Sequence, residues 1–300
     1  MLRIAYRPEY CHPLPEGHRF PMEKYELLPE QLRYEGTLTA ENFFVPEALA
    51  TADILAVHEA DYLHRLRTLQ LTPQEARRTG FPQSEALIRR EELIMGGTVQ
   101  AALFALEHGC ALNIAGGTHH AFTDRGEGFC LLNDLALAAR YLLRQGLAQR
   151  VLIVDLDVHQ GNGTAQIFAD DPAVFTLSVH GRQNYPFHKE RSDLDVEVEL
   201  GTDDATYLAL LRPALDEAWA RHRPDFVLYQ CGVDVLATDK LGHLAMTHAG
   251  CLERDRLVLE RCHRQGTPVA AAMGGGYSTR IADIVEAHAN TYRLAAKLWG

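Results

Sequence analysis

The sequence lacks most features of exported, membrane-spanning and nucleic-acid-binding proteins. Its N-terminus has neither the apolar core nor the small-residue cleavage site of a signal peptide, and no run approaches the roughly 18 apolar residues of a spanning helix. Basic residues are scarce, 29 against 40 acidic ones, and the resulting net charge of −11 does not suit a phosphate-rich ligand. We therefore expect a cytoplasmic protein that binds neither a membrane nor nucleic acid.

Cysteine and lysine are also sparse. The six cysteines lie far apart without a CxxC pair, which is typical of reduced thiols and argues against a cysteine-zinc framework. Lysine occurs only four times, so most basic residues are arginine, a bias typical of GC-rich bacterial genomes. No repeat, low-complexity segment or linker divides the chain, and residues 1–300 are expected to form one domain.

What the sequence does contain is an alternation of short apolar runs with longer amphipathic segments. Continuous apolar runs indicate strands that are buried on both faces. The predicted strands are Leu2–Tyr6, Ala111–Ala115, Val151–Asp155, Val174–Val179, Phe226–Cys231 and Pro268–Met273, with Val196–Leu200 as an edge strand or hairpin arm. The predicted helices are Leu93–His108, Asp134–Gln145, Ala205–Arg221, Leu252–Gln265 and Arg280–Leu298. This alternation predicts a three-layer α/β fold, in which a central parallel sheet has helices on both faces.

Polar residues collect at the ends of four of these predicted strands. His119 and His120 follow one strand, Asp155–His159 ends a second, Asp234 follows a third and Tyr277 follows a fourth. In open parallel sheets, ligands bind outside the carboxyl ends of the strands. Four such groups at one edge of the sheet predict one shared active site.

The segment from Asp155 to His159 carries residue types suited to a metal site. Asp157 and His159 are two positions apart and point the same way in an extended chain, and carboxylate with imidazole suits zinc or iron(II). Asp234 is the candidate third ligand, and three protein ligands leave a position open for water or substrate, as in catalytic metal sites. Taken alone, the segment equally fits aspartates that cap the next helix beside a locally packed histidine.

The other two groups are individually ambiguous. His119 and His120 follow two glycines, in a loop that must approach something closely. They fit either two imidazoles of different protonation state or a solvated surface pair. The run Gly274–Gly276 before Tyr277 fits either a flexible hinge beside a core tyrosine or a loop that brings a phenol to a developing oxyanion.

Taken together and in order, these motifs resemble those of the histone deacetylase superfamily, the arginase-like deacetylases. The matching stretches are Gly116–Ala121, Gly128–Asp134, Asp155–Gly163, Gly232–Asp234 and Gly274–Tyr277. The step Gln160-Gly161-Asn162, with Leu241-Gly242 beyond the fourth stretch, is most similar to class IV deacetylases and their bacterial relatives.

The resemblance implies a role for each matching residue. One Zn²⁺ per chain, with Fe²⁺ as the alternative metal, would be held by Asp157, His159 and Asp234. The catalytic residues would be His119, His120 and Tyr277, the histidines transferring protons and the tyrosine holding the oxyanion. Behind the histidines, Asp155 would orient His119 and Asn162 would orient His120.

The resemblance also implies a substrate tunnel and a second ion. The residues that would line the acyl-lysine tunnel are Gly128, Phe129, Tyr185 and Gly275. The residues whose surroundings would hold a monovalent cation, usually K⁺, are Asp155, Asp157, His159 and Ser178.

Asn162 departs from the family pattern, because many members have aspartate there. Asparagine can orient an imidazole but cannot stabilise its positive charge as a carboxylate does. His120 should therefore be neutral more of the time than His119, which suits a general base.

The implied reaction is zinc-dependent removal of an acyl group, acetyl or a longer fatty acyl, from the ε-amine of lysine in a protein or peptide. Some class IV relatives favour long acyl chains, so we expect that preference here. The second interpretation is an acetylpolyamine or other small-molecule N-acyl amidohydrolase. Such enzymes tend to carry a dimer-closing loop, whereas this chain has only the modest, helix-poor stretch Leu71–Glu85 there, so this interpretation ranks second. The sequence does not define the oligomeric state, and a monomer is favoured.

Two remaining interpretations are disfavoured. A dimanganese enzyme of the arginase type needs further carboxylates, but His159 is followed by Gln160 and Gly161. A non-catalytic acyl-lysine-binding protein would have lost the tyrosine or a metal ligand, and the sequence retains all of them.

Overall fold

The apolar runs form one eight-stranded sheet in a computed structural model that describes residues 1–300. The strands are β1 (Arg3–Ala5), β2 (Phe43–Phe44), β3 (Cys110–Asn113), β4 (Val151–Asp155), β5 (Val174–Gly181), β6 (Leu194–Val198), β7 (Phe226–Gln230) and β8 (Val269–Ala272). Their order is β2-β1-β3-β8-β7-β4-β5-β6, and every pair is parallel. Strands β3, β4, β5, β7 and β8 are buried at every position, as their continuous apolar sequences predict.

Ten α-helices connect and cover the strands. They are α1 (Lys24–Tyr34), α2 (Thr51–Ile54), α3 (Ala60–Arg67), α4 (Pro73–Thr79), α5 (Glu85–His108), α6 (Asp134–Arg144), α7 (Asn162–Ile167), α8 (Asp204–His222), α9 (His248–Gln265) and α10 (Ile281–Trp299). Helices α5 and α6 pack together, and α1, α10, α9 and α8 pack in sequence as a second group. The predicted α/β architecture, a parallel sheet between helices, is confirmed. No helix combines the length and the apolar character needed to cross a bilayer.

All six predicted strands are present, with ends that differ by one or two residues. The segment predicted as Val196–Leu200 is the edge strand β6, which pairs with β5 in parallel, so the hairpin alternative was wrong. The two-residue strand β2 was not predicted, because two aromatic residues before a proline are too short a pattern to identify a strand.

The five predicted helices are also present, but the helical content of the first third of the chain was underestimated. The helix predicted from Leu93 begins at Glu85, where the Ser84 side chain accepts a hydrogen bond from Leu87 N at 3.1 Å. The segment Leu71–Glu85 was described as helix-poor, yet it contains α4, which begins with a capping box between Thr72 and Glu75.

The sheet order explains how separate motifs reach one place. The strands that carry them, β3, β8, β7 and β4, are consecutive neighbours in the middle of the sheet. Because all four are parallel, the segments after Asn113, Ala272, Gln230 and Asp155 leave the same edge of the sheet.

Candidate active site

The three predicted metal ligands converge at that edge. Ligand atoms of Asp157, His159 and Asp234 all lie within 4.8 Å of one another. His159 Nδ1 is 3.0 Å from Asp157 Oδ1 and 3.1 Å from Asp234 Oδ2. The structure therefore brings two carboxylates and one imidazole to a common point, a donor set suited to a transition metal.

Each carboxylate is fixed by backbone amides. Asp234 Oδ1 accepts from Val158 N at 2.9 Å, and Asp157 accepts from His159 N and from Gly275 N, each at 3.0 Å. The alternative in which the aspartates cap the next helix was wrong, because α7 begins after Gly161 without a side-chain cap.

The electrostatics of Asp157, His159 and Asp234 favour a bound cation. Burial and the negative charge of Asp157 raise the pKa of Asp234 to about 7. Burial opposes protonation of His159, but the two aspartates reverse this effect and raise its pKa to about 10. Two buried carboxylates with one open side are stabilised by a positive partner, so these residues fit a bound divalent ion.

His119 is paired with a carboxylate. Its Nδ1 lies 2.6 Å from Asp155 Oδ2, and the imidazole is only 3% exposed. Burial lowers the pKa of His119, but Asp155 and Asp157 outweigh that effect and raise it to about 9. His119 is thus held in its positively charged form.

His120 is paired with an amide instead. Its Nδ1 lies 2.6 Å from Asn162 Oδ1, and its ring centroid is 4.1 Å from that of His119, with the two ring planes tilted by 47°. Burial, followed by the charges of His119 and His159, holds the pKa of His120 well below its ordinary value. Because an amide oxygen only accepts, Nδ1 carries the proton and Nε2 keeps a free lone pair. The directions of the two pKa shifts agree with the asymmetry expected from Asn162, and the surface-pair alternative was wrong because both rings are buried.

Tyr277 is delivered by the glycine run after β8. Burial and the charges of Asp157 and Asp234 hold its pKa well above the ordinary value, so its hydroxyl remains a donor. Its backbone N–H donates to Asp239 Oδ2 at 2.6 Å, and Asp239 Oδ1 also accepts from Leu241 N and Gly242 N. Asp239 therefore fixes the loop that carries the tyrosine, a role that sequence analysis missed.

The glycines permit the close approach that the motifs suggested. A Cβ on Gly275 would come within 2.3 Å of Asp234 Oδ2, and one on Gly117 would come within 2.0 Å of Gln230 Oε1. Asp134, at the start of α6, accepts from Gly117 N at 3.0 Å and Thr118 N at 2.8 Å. Asp134 thereby fixes the loop that carries the two histidines.

The remaining predicted tunnel residues lie beside the histidines. The Tyr185 ring centroid is 4.9 Å from that of His120, and the Phe129 centroid is 5.9 Å from that of Tyr277. A Cβ on Gly128 would meet His120 Cδ2 at 2.7 Å and Tyr185 Cε1 at 3.2 Å. The structure thus places Gly128, Phe129 and Tyr185 around one passage to His120.

Two cavities share this passage. The inner one, about 40 Å³, reaches from His159 and Tyr277 to Tyr25, Arg90 and Ile94. The outer cavity, about 530 Å³, is lined at its junction with the inner one by Phe129, His159 and Tyr277 and continues past Tyr185.

Two buried cations beside the inner cavity were also missed. Lys24 is fully buried, donates to Gly274 O at 3.0 Å, and has a pKa lowered to about 8 by burial. Arg90 is 3% exposed and donates through Nε to Tyr10 O at 2.7 Å. Sequence analysis gave no signal for them, since Lys24 begins α1 and Arg90 lies within α5, and amphipathic patterning assigns charged residues on helices to solvent.

Two of the four residues predicted to surround a monovalent cation are adjacent in the sheet. Asp155 and Ser178 are register partners on β4 and β5. Ser178 Oγ lies 2.9 Å from His180 Nδ1, a contact that sequence analysis did not anticipate.

Comparison with known proteins identifies one family across most of the chain. The family model described as the histone deacetylase domain matches residues 18–292. The chain is 48% identical to an uncharacterized protein of Picosynechococcus over 99% of both chains. It is 33% identical to histone deacetylase 2 of Arabidopsis thaliana, over 89% of this chain and 72% of that protein. A solved HDAC homolog complexed with SAHA superposes with a TM-score of 0.85 at 26% identity, covering 99% of this chain and 84% of the other.

Proposed function

This chain belongs to the histone deacetylase family, and from that premise we propose that it is a zinc-dependent amidohydrolase acting on acyl-lysine in proteins or peptides. The observation that carries the proposal is the convergence of Asp157, His159 and Asp234 beside two buried histidines of opposite pKa shift. Family membership supports deacetylation. The proposal goes beyond family membership in naming zinc as the metal and lysine as the residue that carries the acyl group.

A zinc ion held by the three ligands would polarise the acyl carbonyl and acidify an attacking water. His120, neutral and with Nε2 free, is the base that takes the proton from that water. Tyr277 donates its hydroxyl proton in a hydrogen bond to the developing oxyanion. His119, kept protonated by Asp155, stabilises negative charge and supplies a proton to the departing amine. The products are a carboxylate and a free amine.

A monovalent cation, K⁺, forms part of the same proposal. The backbone around Asp155, Asp157 and His159 with Ser178 is the region for it, supported by the adjacency of Asp155 and Ser178 in the sheet.

The inner cavity bears on the length of the acyl group. At about 40 Å³ it has room for about three water molecules. Each buried methylene contributes at most about 0.8 kcal/mol, and only where there is space for it. The cavity therefore favours acetyl over the long fatty acyl chain expected from the class IV resemblance. Equal or higher kcat/KM for an octanoyl-lysine peptide than for its acetyl equivalent would contradict this assignment.

The direct test of the reaction is hydrolysis of an acetyl-lysine peptide. Turnover should vanish after chelation and return with Zn²⁺, and Asp234→Ala should abolish both bound metal and turnover. Activity of a metal-free Asp234→Ala preparation would refute the proposal, and binding of the peptide without turnover would favour the non-catalytic alternative.

Tyr277→Phe tests the oxyanion donor separately, because it removes one hydroxyl and keeps the ring. Loss of one such donor costs about 10²–10³ in kcat, while the zinc content should be unchanged. An unchanged rate would show that the tyrosine only packs in the tunnel wall.

A further inference from the structure

The outer cavity has a charge opposite to that of the whole chain. The protein carries a net charge of −11, yet the residues that line the 530 Å³ cavity include two arginines, Arg19 and Arg78, and no aspartate or glutamate. Charges beyond about 10 Å are largely screened at 0.1 M salt. Among the side chains that line the cavity, a ligand at the mouth meets two guanidinium groups and no carboxylate.

Both arginines are free to bind a ligand. Each is exposed, and neither lies within 4.0 Å of a carboxylate or donates a side-chain hydrogen bond to the protein. The Arg19 guanidinium lies over the Phe129 ring at 5.0 Å from its centroid. Glu127, the residue before Gly128 on this wall, already accepts hydrogen bonds from Arg125 Nε at 3.0 Å and from the Tyr185 hydroxyl at 2.7 Å.

The backbone at Arg78 is joined to the tunnel wall. Arg78 is in the last turn of α4, and its carbonyl accepts a hydrogen bond from Gly128 N at 3.0 Å. The next carbonyl, of Thr79, accepts from Phe129 N at 2.8 Å. The backbone of Arg78 consequently has a defined position relative to the passage that leads to His120, and the contact of Arg19 with the Phe129 ring places the second charge beside the same wall.

Apolar surface completes the cavity and indicates the kind of ligand. Phe187 is 83% exposed and its ring lies 6.3 Å from that of Tyr185, and Leu200 is 50% exposed. The space exceeds what one acyl-lysine side chain in the tunnel would fill. A peptide on both sides of the lysine would cover these apolar side chains and place its own side chains near the arginines.

We propose that this cavity selects acyl-lysine peptides in which a residue flanking the lysine carries a carboxylate, and that it disfavours cationic amides such as acylated polyamines. The proposal rests on the proposed amidohydrolase function and names its substrate class. Because exposed ion pairs are weak, each arginine should contribute about two- to fivefold in kcat/KM.

The test compares three acetyl-lysine peptides that differ only in a neighbouring residue, glutamate, glutamine or lysine. In the wild-type protein kcat/KM should decrease in that order, with roughly tenfold between the extremes for two arginines. The difference should shrink when NaCl is raised from low to high concentration, because salt screens exposed charges. An acetylated polyamine should be hydrolysed more slowly than the glutamine peptide.

Arg78→Gln should reduce the glutamate-to-lysine ratio about two- to fivefold. Arg77→Gln is the matched control, since Arg77 is exposed on the same helix but does not line the cavity, and it should keep the wild-type ratio. Equal rates for the three peptides, a salt-independent order, or faster hydrolysis of the polyamine would overturn the inference. Failure to hydrolyse any of the peptides would instead count against the proposed function.

Discussion

At the scale of single residues, the two histidines show how one neighbour sets a catalytic role. Both rings are buried and in contact with each other, yet one has a carboxylate partner and the other an amide. The pKa of His119 rises to about 9, whereas that of His120 falls well below its usual value. Burial and the charges of His119 and His159 lower the pKa of His120, and because Asn162 is an amide no paired carboxylate reverses this, which suits the proposed role of His120 as a base.

Replacing Asn162 with aspartate should reverse that effect. A carboxylate against His120 favours the imidazolium and raises its pKa by about one unit or more, which leaves less neutral base at pH 7. The acid limb of kcat/KM should move to higher pH, as measured in pH–rate profiles at equal zinc occupancy. Because the histidines and the metal site titrate together, the shift belongs to the whole site.

Gln166→Glu is the control for this change. It adds one carboxylate to the same helix at an exposed position, so its acid limb should match that of the wild type. If the acid limb of Asn162→Asp stays in place or moves to lower pH, His120 is not the base or its contact with position 162 is not kept.

The residues that sequence reasoning found differ in kind from those it missed. Asp157, His159 and Asp234 stand directly after strands, where chemistry is expected, so their types and positions were enough to nominate them. Asp134 and Asp239 act as acceptors for backbone N–H groups of loops that are distant in sequence, and Asp134 also accepts from the Thr98 and Thr118 hydroxyls. Nothing local distinguishes such a carboxylate from a helix cap or a solvated residue.

At the scale of elements, His58 joins the loop after α2 to the start of α6. Its Nδ1 donates to Phe122 O at 2.9 Å, and its Nε2 accepts from Asn133 N at 3.0 Å. Asn133 is the N-cap of α6, the helix that is followed in the chain by β4. This arrangement requires a neutral ring, and burial accordingly lowers the pKa of His58 to about 4.

The sign of the resulting pH dependence follows from linkage. Between pH 6.5 and 4 the unfolded chain binds a proton at His58 and the folded chain does not, so stability falls as the pH decreases through this window. The contribution is about 3 kcal/mol at most, from a shift of about 2.5 units at 1.36 kcal/mol each. His58→Gln should flatten the dependence of the unfolding free energy on pH over this range, as measured by urea denaturation.

Comparison with His64→Gln isolates this contribution. His64 is exposed on α3, and its replacement should leave the pH dependence unchanged, while contributions of the metal site cancel between the two variants. Parallel curves for His58→Gln and the wild type would mean that the ring is protonated without cost in the folded state.

Elements were predictable where a long periodic pattern existed. Helices α8, α9 and α10 have 18 or 19 residues and were located within a few residues of their ends. The short helices α2, α4 and α7 have four to seven residues, too few to show a repeat. Helix α1 was missed because it contains Pro29 and buries Lys24, both of which contradict the pattern of an amphipathic helix.

At the scale of the whole molecule, the site depends on the order of the strands. The segments that carry the proposed catalytic residues are up to 158 residues apart in sequence, from His119 to Tyr277. They come together because β3, β8, β7 and β4 lie side by side in the sheet. The sequence predicted a parallel sheet and a shared edge. It did not predict this strand order, because nothing in a strand's own residues states which strand lies beside it.

A metal bound at this edge would connect segments that follow β4 and β7, so it should stabilise the entire fold. Zinc at 100 to 1,000 times its dissociation constant adds about 3–4 kcal/mol, which for a chain of this size raises Tm by roughly 5 °C.

The gain in Tm on zinc binding should depend on pH. In the metal-free protein the pKa of Asp234 is raised to about 7, above its unfolded value. The stability associated with its protonation is present at low pH and is lost as the pH rises through 7.

The zinc-induced increase in Tm should therefore grow between pH 5 and pH 8, because the buried carboxylates become charged and bind the ion without first releasing a proton. Asp234→Asn removes one carboxylate with little change in shape, so its metal-free form should lose less stability over this range and gain little from zinc. Asp170→Asn, at an exposed carboxylate, should behave as the wild type. The measurement is Tm of the three proteins with chelator and with zinc. A zinc-induced rise in Tm that is as large in Asp234→Asn as in the wild type, or that shrinks with rising pH in the wild type, would place the ion elsewhere.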